Sequence, residues 1–185
     1  MLLSKQILKL LGWEVINQVG DLPNKAVIIA APHTSMWDFV YGYLAFRTMN
    51  VKMKFLIKKE SFFFPLGILL RALGGIPVDR FSKNSVVDDV VEQFNALDSM
   101  VLTLTPEATR SKVKRWKNGY HRIAKAAKVP VILGFLDYEK KQVGITKVYE
   151  LKGDSQFDTL EIMKYYTNIK GKYPELFYLP PQVYD

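Results

Sequence analysis

Cysteine is absent from the 185 residues of this sequence. The chain therefore forms no disulfide, offers no thiolate to a metal and has no cysteine nucleophile. Histidine is nearly as scarce, because His33 and His121 are the only two, so we expect neither a histidine-rich metal centre nor a metal cofactor. His121 has no acidic residue close to it in sequence, and we expect it to be non-catalytic.

Long apolar runs are missing as well. The longest, at residues 62–70, ends at Arg71 and is far shorter than the roughly 18 residues that a membrane-spanning helix needs. Residues 1–13 do place four apolar side chains on one helical stripe: Leu3, Ile7, Leu10 and Leu11. This segment is a candidate interfacial amphipathic helix. The alternative is an ordinary helix packed on its own domain.

The sequence has 18 Asp or Glu residues against 26 Lys or Arg residues, which gives a net charge of +8. Residues 110–128 hold eight Lys or Arg and no Asp or Glu. Such a balance favours anionic partners, either nucleic acid, phospholipid headgroups or phosphorylated small molecules. Trp116 and Tyr120 alternate with the charges, a pattern that suits an anionic membrane surface. The same stretch would suit the phosphates of CoA or an acidic carrier protein, and the alternative is a solvated face.

Apolar strand-like runs alternate with segments of helical period. The predicted strands are residues 26–31, 53–57, 100–104 and 129–136. The predicted helices are residues 36–47, 62–73, 86–97, 118–127 and 157–169. The alternation predicts a single α/β domain over residues 1–185, with a mainly parallel or mixed central sheet flanked by helices. Ligands of such folds gather beyond the carboxyl ends of the strands, where we expect His33, Glu107 and Arg110.

His33 and Asp38 are the strongest candidates for a catalytic pair. On a regular helix, residues five apart diverge by about 140° and do not meet. Pro32 and Ser35, however, predict that the helix begins only near residue 35. His33 then lies on the preceding loop, folded back over the first turn, and the carboxylate of Asp38 can accept a proton from one ring nitrogen. The other nitrogen is left as a base.

A structural interpretation of Asp38 stays open beside the catalytic one. Ser35-x-x-Asp38 is also a capping-box pattern, which begins many helices. The same pattern recurs at two further predicted helix starts, Ser85-x-x-Asp88 and Ser155-x-x-Asp158. The aspartate alone is therefore weak support for a catalytic function.

Four segments together resemble the motifs of the glycerolipid acyltransferase family, the 1-acylglycerol-3-phosphate acyltransferases and their relatives. His33-Thr-Ser-Met-Trp-Asp38 resembles the family's H-x-S-x-x-D signature, an H-x4-D motif. Residues 74–80 (GGIPVDR), 105–111 (TPEATRS) and 129–132 (VPVI) are similar to its second, third and fourth motifs, in the same order. The chain departs from the pattern at Ala108, where the family has glycine.

The resemblance implies a reaction and roles for the residues within these motifs. It implies transfer of a fatty acyl group from acyl-CoA or acyl carrier protein to a hydroxyl of a lysophospholipid-like acceptor, with lysophosphatidic acid favoured. His33 would be the general base, oriented by Asp38. The implied substrate-binding residues are Arg80, Glu107, Thr109 and Arg110.

Three of the implied binding residues, Arg80, Glu107 and Arg110, also have an ordinary explanation. The arginines would bind a phosphate of the acceptor, and Glu107 would position the acceptor or hold one of the arginines. Alternatively, Arg80 forms a surface ion pair with Asp79 or Asp88, and Glu107 forms a loop salt bridge with Arg110. The apolar block at residues 62–73 is a candidate wall for the acyl chain, although core packing is the simpler expectation for most of it.

The expected setting is a membrane surface. The resemblance predicts a peripheral membrane protein on the cytoplasmic face, with no cofactor besides the acyl donor and no nucleic-acid partner. The alternatives are a lipid-binding relative without activity, a basic nucleic-acid-binding protein and a hydrolase that uses water in place of the acceptor.

Overall fold

The computed structural model describes residues 2–79 and 86–184. The strands are β1 (Glu14–Asn17), β2 (Lys25–Ala31), β3 (Met53–Lys58), β4 (Gly75–Val78), β5 (Met100–Leu104), β6 (Val131–Asp137) and β7 (Gln142–Tyr149). The helices are α1 (Leu2–Leu10), α2 (Trp37–Thr48), α3 (Leu66–Ala72), α4 (Val86–Ala96), α5 (Gly119–Ala127) and α6 (Ser155–Met163). The last residues form short 3₁₀ turns, among them Pro174–Leu176 and Pro181–Val183.

The seven strands form one sheet in the order β1-β7-β6-β2-β5-β3-β4. Every neighbouring pair is parallel except β6 and β7, which are antiparallel. The sheet is therefore mixed, and the predicted α/β class is confirmed. The prediction located β2, β3, β5 and β6 but omitted β1, β4 and β7.

The central strand β2 is covered by helices on both faces of the sheet. Its residues Ala26, Val27, Ile28 and Ile29 are fully buried, as expected for a parallel strand covered on both sides. Val27 and Ile29 pack in the core that includes Phe94 of α4. Ala26 and Ile28 point the other way, into a second core that includes residues of α2. The carboxyl end of β2 is thereby fixed between two helical layers.

The first helix fits parts of both interpretations of residues 1–13. Ser4 and Leu8 are buried against the domain, and α1 packs on α2. The predicted stripe faces outward, because Leu3, Leu10 and Leu11 are exposed. Over the described ranges, none of the helices combines the length and the apolar character that crossing a membrane requires.

Two expectations about apolar residues are wrong. Core packing does not hold for most of the block at residues 62–73, because α3 begins only at Leu66 and five large side chains are exposed: Phe63, Phe64, Leu66, Ile68 and Leu69. Conversely, Trp116 and Tyr120 are not interfacial aromatics. Both are buried in the main core, where Trp116 meets the ring of Tyr166 edge-on at 5.6 Å. The basic stretch at residues 110–128 therefore exposes no aromatic side chain of its own.

Candidate active site

The loop that joins β2 to α2 is held by the first turn of the helix that follows it. Oδ2 of Asp38 accepts hydrogen bonds from the backbone N–H groups of Thr34 and Ser35, each at 2.8 Å. The hydroxyl of Ser35 accepts from the N–H of Trp37 at 3.2 Å. Asp38 therefore forms its half of the capping-box pattern by accepting from the N–H of Ser35, whereas the Ser35 hydroxyl binds the N–H of Trp37 and not that of Asp38. The loop is pinned over the end of the sheet.

The same carboxylate also binds the histidine. Nδ1 of His33 lies 3.1 Å from Oδ2 of Asp38, so the predicted geometry of the pair is confirmed. Asp38 is 5% exposed, whereas the side chain of His33 keeps 20% of its surface in solvent. An acceptor at Nδ1 favours the tautomer with its proton on that nitrogen, which leaves Nε2 as a base. Asp38 therefore both holds the backbone of the loop before α2 and orients the imidazole.

A tyrosine completes the surroundings of Asp38. The hydroxyl of Tyr138 donates to Oδ1 of Asp38 at 2.6 Å. Tyr138 directly follows β6, the strand beside β2. Tyr138 was not among the predicted site residues, although its place just beyond a buried strand is the same signal that points to His33.

Glu107 lies against the backbone of His33. Its carboxylate accepts from the N–H of His33, with distances of 3.2 Å to Oε1 and 3.0 Å to Oε2. Glu107 is buried, and the ion pairs among the described residues do not include a pair with Arg110. Burial raises the pKa of Glu107 to about 7, and the N–H bond from His33 offsets part of this while the charge of Asp38 adds to it.

We expect the stability of the protein to fall as Glu107 ionises. The pKa of Glu107 is about 7 in the folded state against 4.5 in the unfolded chain, so between these two pH values the folded state binds more protons. The free energy of unfolding therefore falls as pH rises through this range, by on the order of 3 kcal/mol. Glu107→Gln keeps an acceptor for His33 and removes the titration. Urea unfolding from pH 5 to 8 should show wild type losing stability relative to the variant, and a pH-independent difference would contradict this.

Ala108, the departure from the family pattern, keeps the backbone that a glycine would adopt. Its φ is 56°, in the left-handed region that costs a residue with a Cβ roughly 1–2 kcal/mol. Its N–H donates to the carbonyl of Thr105 at 3.0 Å. The turn after β5 therefore holds its shape in spite of the alanine, and Glu107 stays directed at His33.

Thr109 and Arg110 line an open groove of about 520 Å³. Lys172 of the C-terminal segment lines it too, and its ammonium lies 5.5 Å from the ring centre of Trp37. Thr34 and Ser35, the neighbours of His33, also line this groove. Lys172 was not predicted, and it gives the groove a second cation in addition to Arg110. Arg80 and its proposed ion pairs lie outside the described residues.

The C-terminal segment is hydrogen-bonded to the loop between β2 and α2. The N–H of Tyr173 donates to the hydroxyl of Thr34 at 3.2 Å. A Cβ built on Gly171 would lie 2.9 Å from the same hydroxyl oxygen, so only glycine allows this approach. The groove is therefore built from parts of the chain that are well separated in sequence.

The second histidine forms a buried pair of its own. Nε2 of His121 lies 2.9 Å from Oδ2 of Asp158, and both residues are almost fully buried. Burial by itself raises the pKa of Asp158, but its hydrogen bonds, which include one from the hydroxyl of Tyr149, together lower it. Asp154, and not Ser155, caps α6 through its side chain, so the capping-box prediction at Ser155-x-x-Asp158 is wrong. Ser85 lies outside the described residues.

Across residues 2–79 and 86–184, no three His, Cys, Asp or Glu side chains gather in a way that could hold a metal ion. The site therefore consists of an oriented imidazole beside a groove with two cations. Such a site is equipped to remove a proton from a hydroxyl group and to hold an anion nearby.

Comparisons with known proteins define the class. Residues 12–132 match the model of a family described as Acyltransferase. Among solved structures, the fold is similar to the 1-acyl-sn-glycerophosphate (LPA) acyltransferase PlsC from Thermotoga maritima, with a TM-score of 0.60 and 17% identity over 91% of this chain and 78% of that one. A search of curated proteins gave no match.

The match to the family model identifies this protein as an acyl-transfer enzyme. The match covers well over half of the chain, and this protein belongs to the acyltransferase family. The resemblance of the four motifs to this family is therefore confirmed as family membership.

Proposed function

We propose that this enzyme moves a fatty acyl group from a thioester to a hydroxyl of a lysophospholipid-like acceptor, with His33 as the general base. The observation that carries the proposal is the contact of His33 Nδ1 with Asp38, which leaves Nε2 free to take a proton. The loop that presents this imidazole also lines a groove with two cations.

The proposed reaction needs no covalent enzyme intermediate. Nε2 of His33 takes the proton of the acceptor hydroxyl as its oxygen attacks the thioester carbon. Asp38 stabilises the imidazolium that forms. The tetrahedral intermediate then collapses, the carbon–sulfur bond breaks, and the imidazolium returns its proton to the leaving thiolate. The products are an ester and a free thiol, and the imidazole is neutral again.

The groove suggests an acceptor that carries an anion. Arg110 and Lys172 both line it, and a guanidinium matches the geometry of a phosphate oxygen pair. Lysophosphatidic acid, with a phosphate next to its free hydroxyl, is the acceptor that we favour. Acyl-CoA and acyl carrier protein are the candidate donors, since both present a thioester together with negative charge.

Removing either groove cation should weaken acceptor binding selectively. A charge-assisted hydrogen bond contributes about 1.5–3 kcal/mol, so we expect Arg110→Ala and Lys172→Ala each to raise KM for lysophosphatidic acid at least tenfold. KM for the acyl donor should change by less than about threefold. Steady-state kinetics with each substrate varied in turn measures both. Equal KM values for the acceptor in wild type and variants would rule out this groove as the phosphate site.

We also propose that the enzyme works as a peripheral protein on the cytoplasmic face of a membrane. The support is exposed apolar surface on α1 and in the segment that leads into α3, together with exposed Met36 and Trp37 beside the groove. Apolar side chains flanked by lysines suit the interface of an anionic bilayer.

Vesicle sedimentation tests the membrane proposal. Phe63→Ser combined with Phe64→Ser should reduce binding to vesicles that contain phosphatidylglycerol by tenfold or more, because two large apolar side chains are lost. Phe157→Ser removes a comparably exposed phenylalanine of α6 and serves as the control. If the double variant binds as tightly as the control, the segment before α3 is not the membrane contact.

An acceptor screen tests the function itself. Purified protein in detergent is given radiolabelled acyl-CoA or acyl carrier protein and a panel of lysolipids that includes lysophosphatidic acid and neutral lysolipids. We expect a labelled two-chain lipid, formed fastest from the acceptor with a phosphate. Thioester hydrolysis without labelled lipid would indicate a hydrolase, and no turnover at all would favour an inactive relative.

A further inference from the structure

Among the described residues, Tyr138 is the side chain whose hydroxyl binds the second oxygen of the Asp38 carboxylate. Oδ2 of Asp38 already receives three donors: Nδ1 of His33 and the N–H groups of Thr34 and Ser35. Oδ1 receives the hydroxyl of Tyr138 at 2.6 Å. This residue lies beyond the segment that matches the family model, residues 12–132.

The phenol ring of Tyr138 is held from several directions. Its backbone N–H donates to the carbonyl of Lys170 at 2.8 Å. The ring meets Trp13 edge-on with ring centres 4.9 Å apart, and Tyr41 with centres 6.0 Å apart. Trp13 and Tyr41 are themselves stacked at 4.3 Å. The hydroxyl is therefore carried by a ring with little freedom to turn away from Asp38.

The hydroxyl is a donor at any physiological pH. Burial and the hydrogen bond to Asp38 raise the pKa of Tyr138 well above that of an ordinary tyrosine. A neutral phenol at 2.6 Å from a carboxylate oxygen forms a short, charge-assisted hydrogen bond. Such a bond draws negative charge away from the carboxylate that faces His33.

We propose that Tyr138 is a positioning residue for the His33–Asp38 pair: its hydroxyl fixes the carboxylate of Asp38 and makes His33 less basic. The catalytic meaning of this role rests on the proposed function, but the effect on His33 does not. Without the hydroxyl, the Thr34 and Ser35 amides still hold Oδ2 in place. The carboxylate then keeps its full charge beside the imidazole and stabilises the imidazolium more strongly.

Other ionisable groups surround the pair and stay constant in the comparison. They are Glu107 after β5, Tyr41 on α2, Tyr173 of the C-terminal segment, and the groove cations Arg110 and Lys172. All of these residues are the same in wild type and in a variant that lacks only the Tyr138 hydroxyl. A difference between the two proteins in the titration of His33 can therefore be assigned to this hydroxyl.

NMR titration of Tyr138→Phe tests the proposal directly. The chain has only two histidines, so two imidazole signals are observed, and the buried His121 serves as an internal reference for an intact fold. We expect the titration midpoint of His33 to rise by roughly half a pH unit, with the His121 signal unchanged. Tyr41→Phe, the matched control, removes a hydroxyl from the same aromatic group and should leave both signals as in wild type.

Kinetics supply the second readout. The acid limb of kcat/KM reports the titration of the base in the free enzyme, and in Tyr138→Phe we expect it to move to higher pH by the same amount. At the pH optimum, kcat should fall about 3- to 10-fold, as for one lost hydrogen bond, with both KM values within twofold. A His33 midpoint that is unchanged or lower overturns the proposal. Because the NMR arm needs no substrate, it decides this even if the protein proves inert with every acceptor.

Discussion

His33→Ala is expected to lower kcat by about 10²- to 10⁴-fold, the range that a general base contributes. The variant should keep its KM for acyl donor and acceptor, because the groove residues are untouched. His33 is partly exposed, and its side chain bonds only Asp38 among the described residues, so the free energy of unfolding should change by less than about 1 kcal/mol. Steady-state rates and urea unfolding measured on the same preparations check both statements.

His121→Ala is the matched control for the loss of kcat expected in His33→Ala. His121→Ala removes an imidazole that is buried against Asp158, so it should destabilise the protein while leaving kcat of the folded fraction within about threefold of wild type. If His33→Ala retained wild-type activity, or if the two variants lost activity in proportion to their stability, His33 would not be the base.

Asp38→Asn should have the second largest effect, a fall in kcat of about 10²- to 10⁴-fold with normal folding at room temperature. An amide in place of the carboxylate cannot stabilise the imidazolium, and it favours the wrong tautomer of His33. Asp38 also accepts from two backbone N–H groups, so the free energy of unfolding should fall by about 1–3 kcal/mol.

Two comparisons separate chemistry from stability for Asp38. Ser35→Ala removes the other helix-start hydrogen bond, to Trp37, and should cost about 1 kcal/mol of stability with little effect on kcat. In the double variant His33→Ala, Asp38→Asn, the losses in kcat should not multiply, because the two residues act as a unit. Fully multiplicative losses would mean that Asp38 acts independently of His33.

The parts of the site that could be predicted are those encoded locally. His33 and Asp38 are five residues apart, and the residues between them contain the helix-start signal that folds the loop back. Their contact needed only a short-range argument. The strands β2 and β5 are apolar runs whose ends carry polar residues, so the placing of His33 and Glu107 at one edge followed from the topology of parallel sheets.

The strands that were not predicted lack a strong local pattern. β1 and β4 have four residues each and lie at the two edges of the sheet. β4 also contains Pro77, which is unfavourable in a central strand but tolerated at an edge. β7 mixes buried and exposed residues, so it shows no regular apolar pattern. It lies between β6, to which it is antiparallel, and the short edge strand β1.

The remaining contacts depend on the tertiary structure. Tyr138 is 100 residues from Asp38 in the chain, and His121 is 37 residues from Asp158. No period or motif in a single sequence encodes such pairs. Glu107 was selected for its place beyond β5, but its partner is the backbone of His33. Glu107 was predicted to position the acceptor or to hold an arginine, and its contact with the loop before α2 was not foreseen.

The measurement that tests the central claim most directly is the ratio of thiol released to ester formed. Wild type and His33→Ala are incubated with acyl-CoA and lysophosphatidic acid, and free thiol and two-chain lipid are quantified in the same samples. The proposed mechanism predicts one ester for each thiol in wild type, and a rate at least about 100-fold lower for both products in His33→Ala. Thiol released with free fatty acid in place of ester, or equal rates for the two proteins, would contradict it.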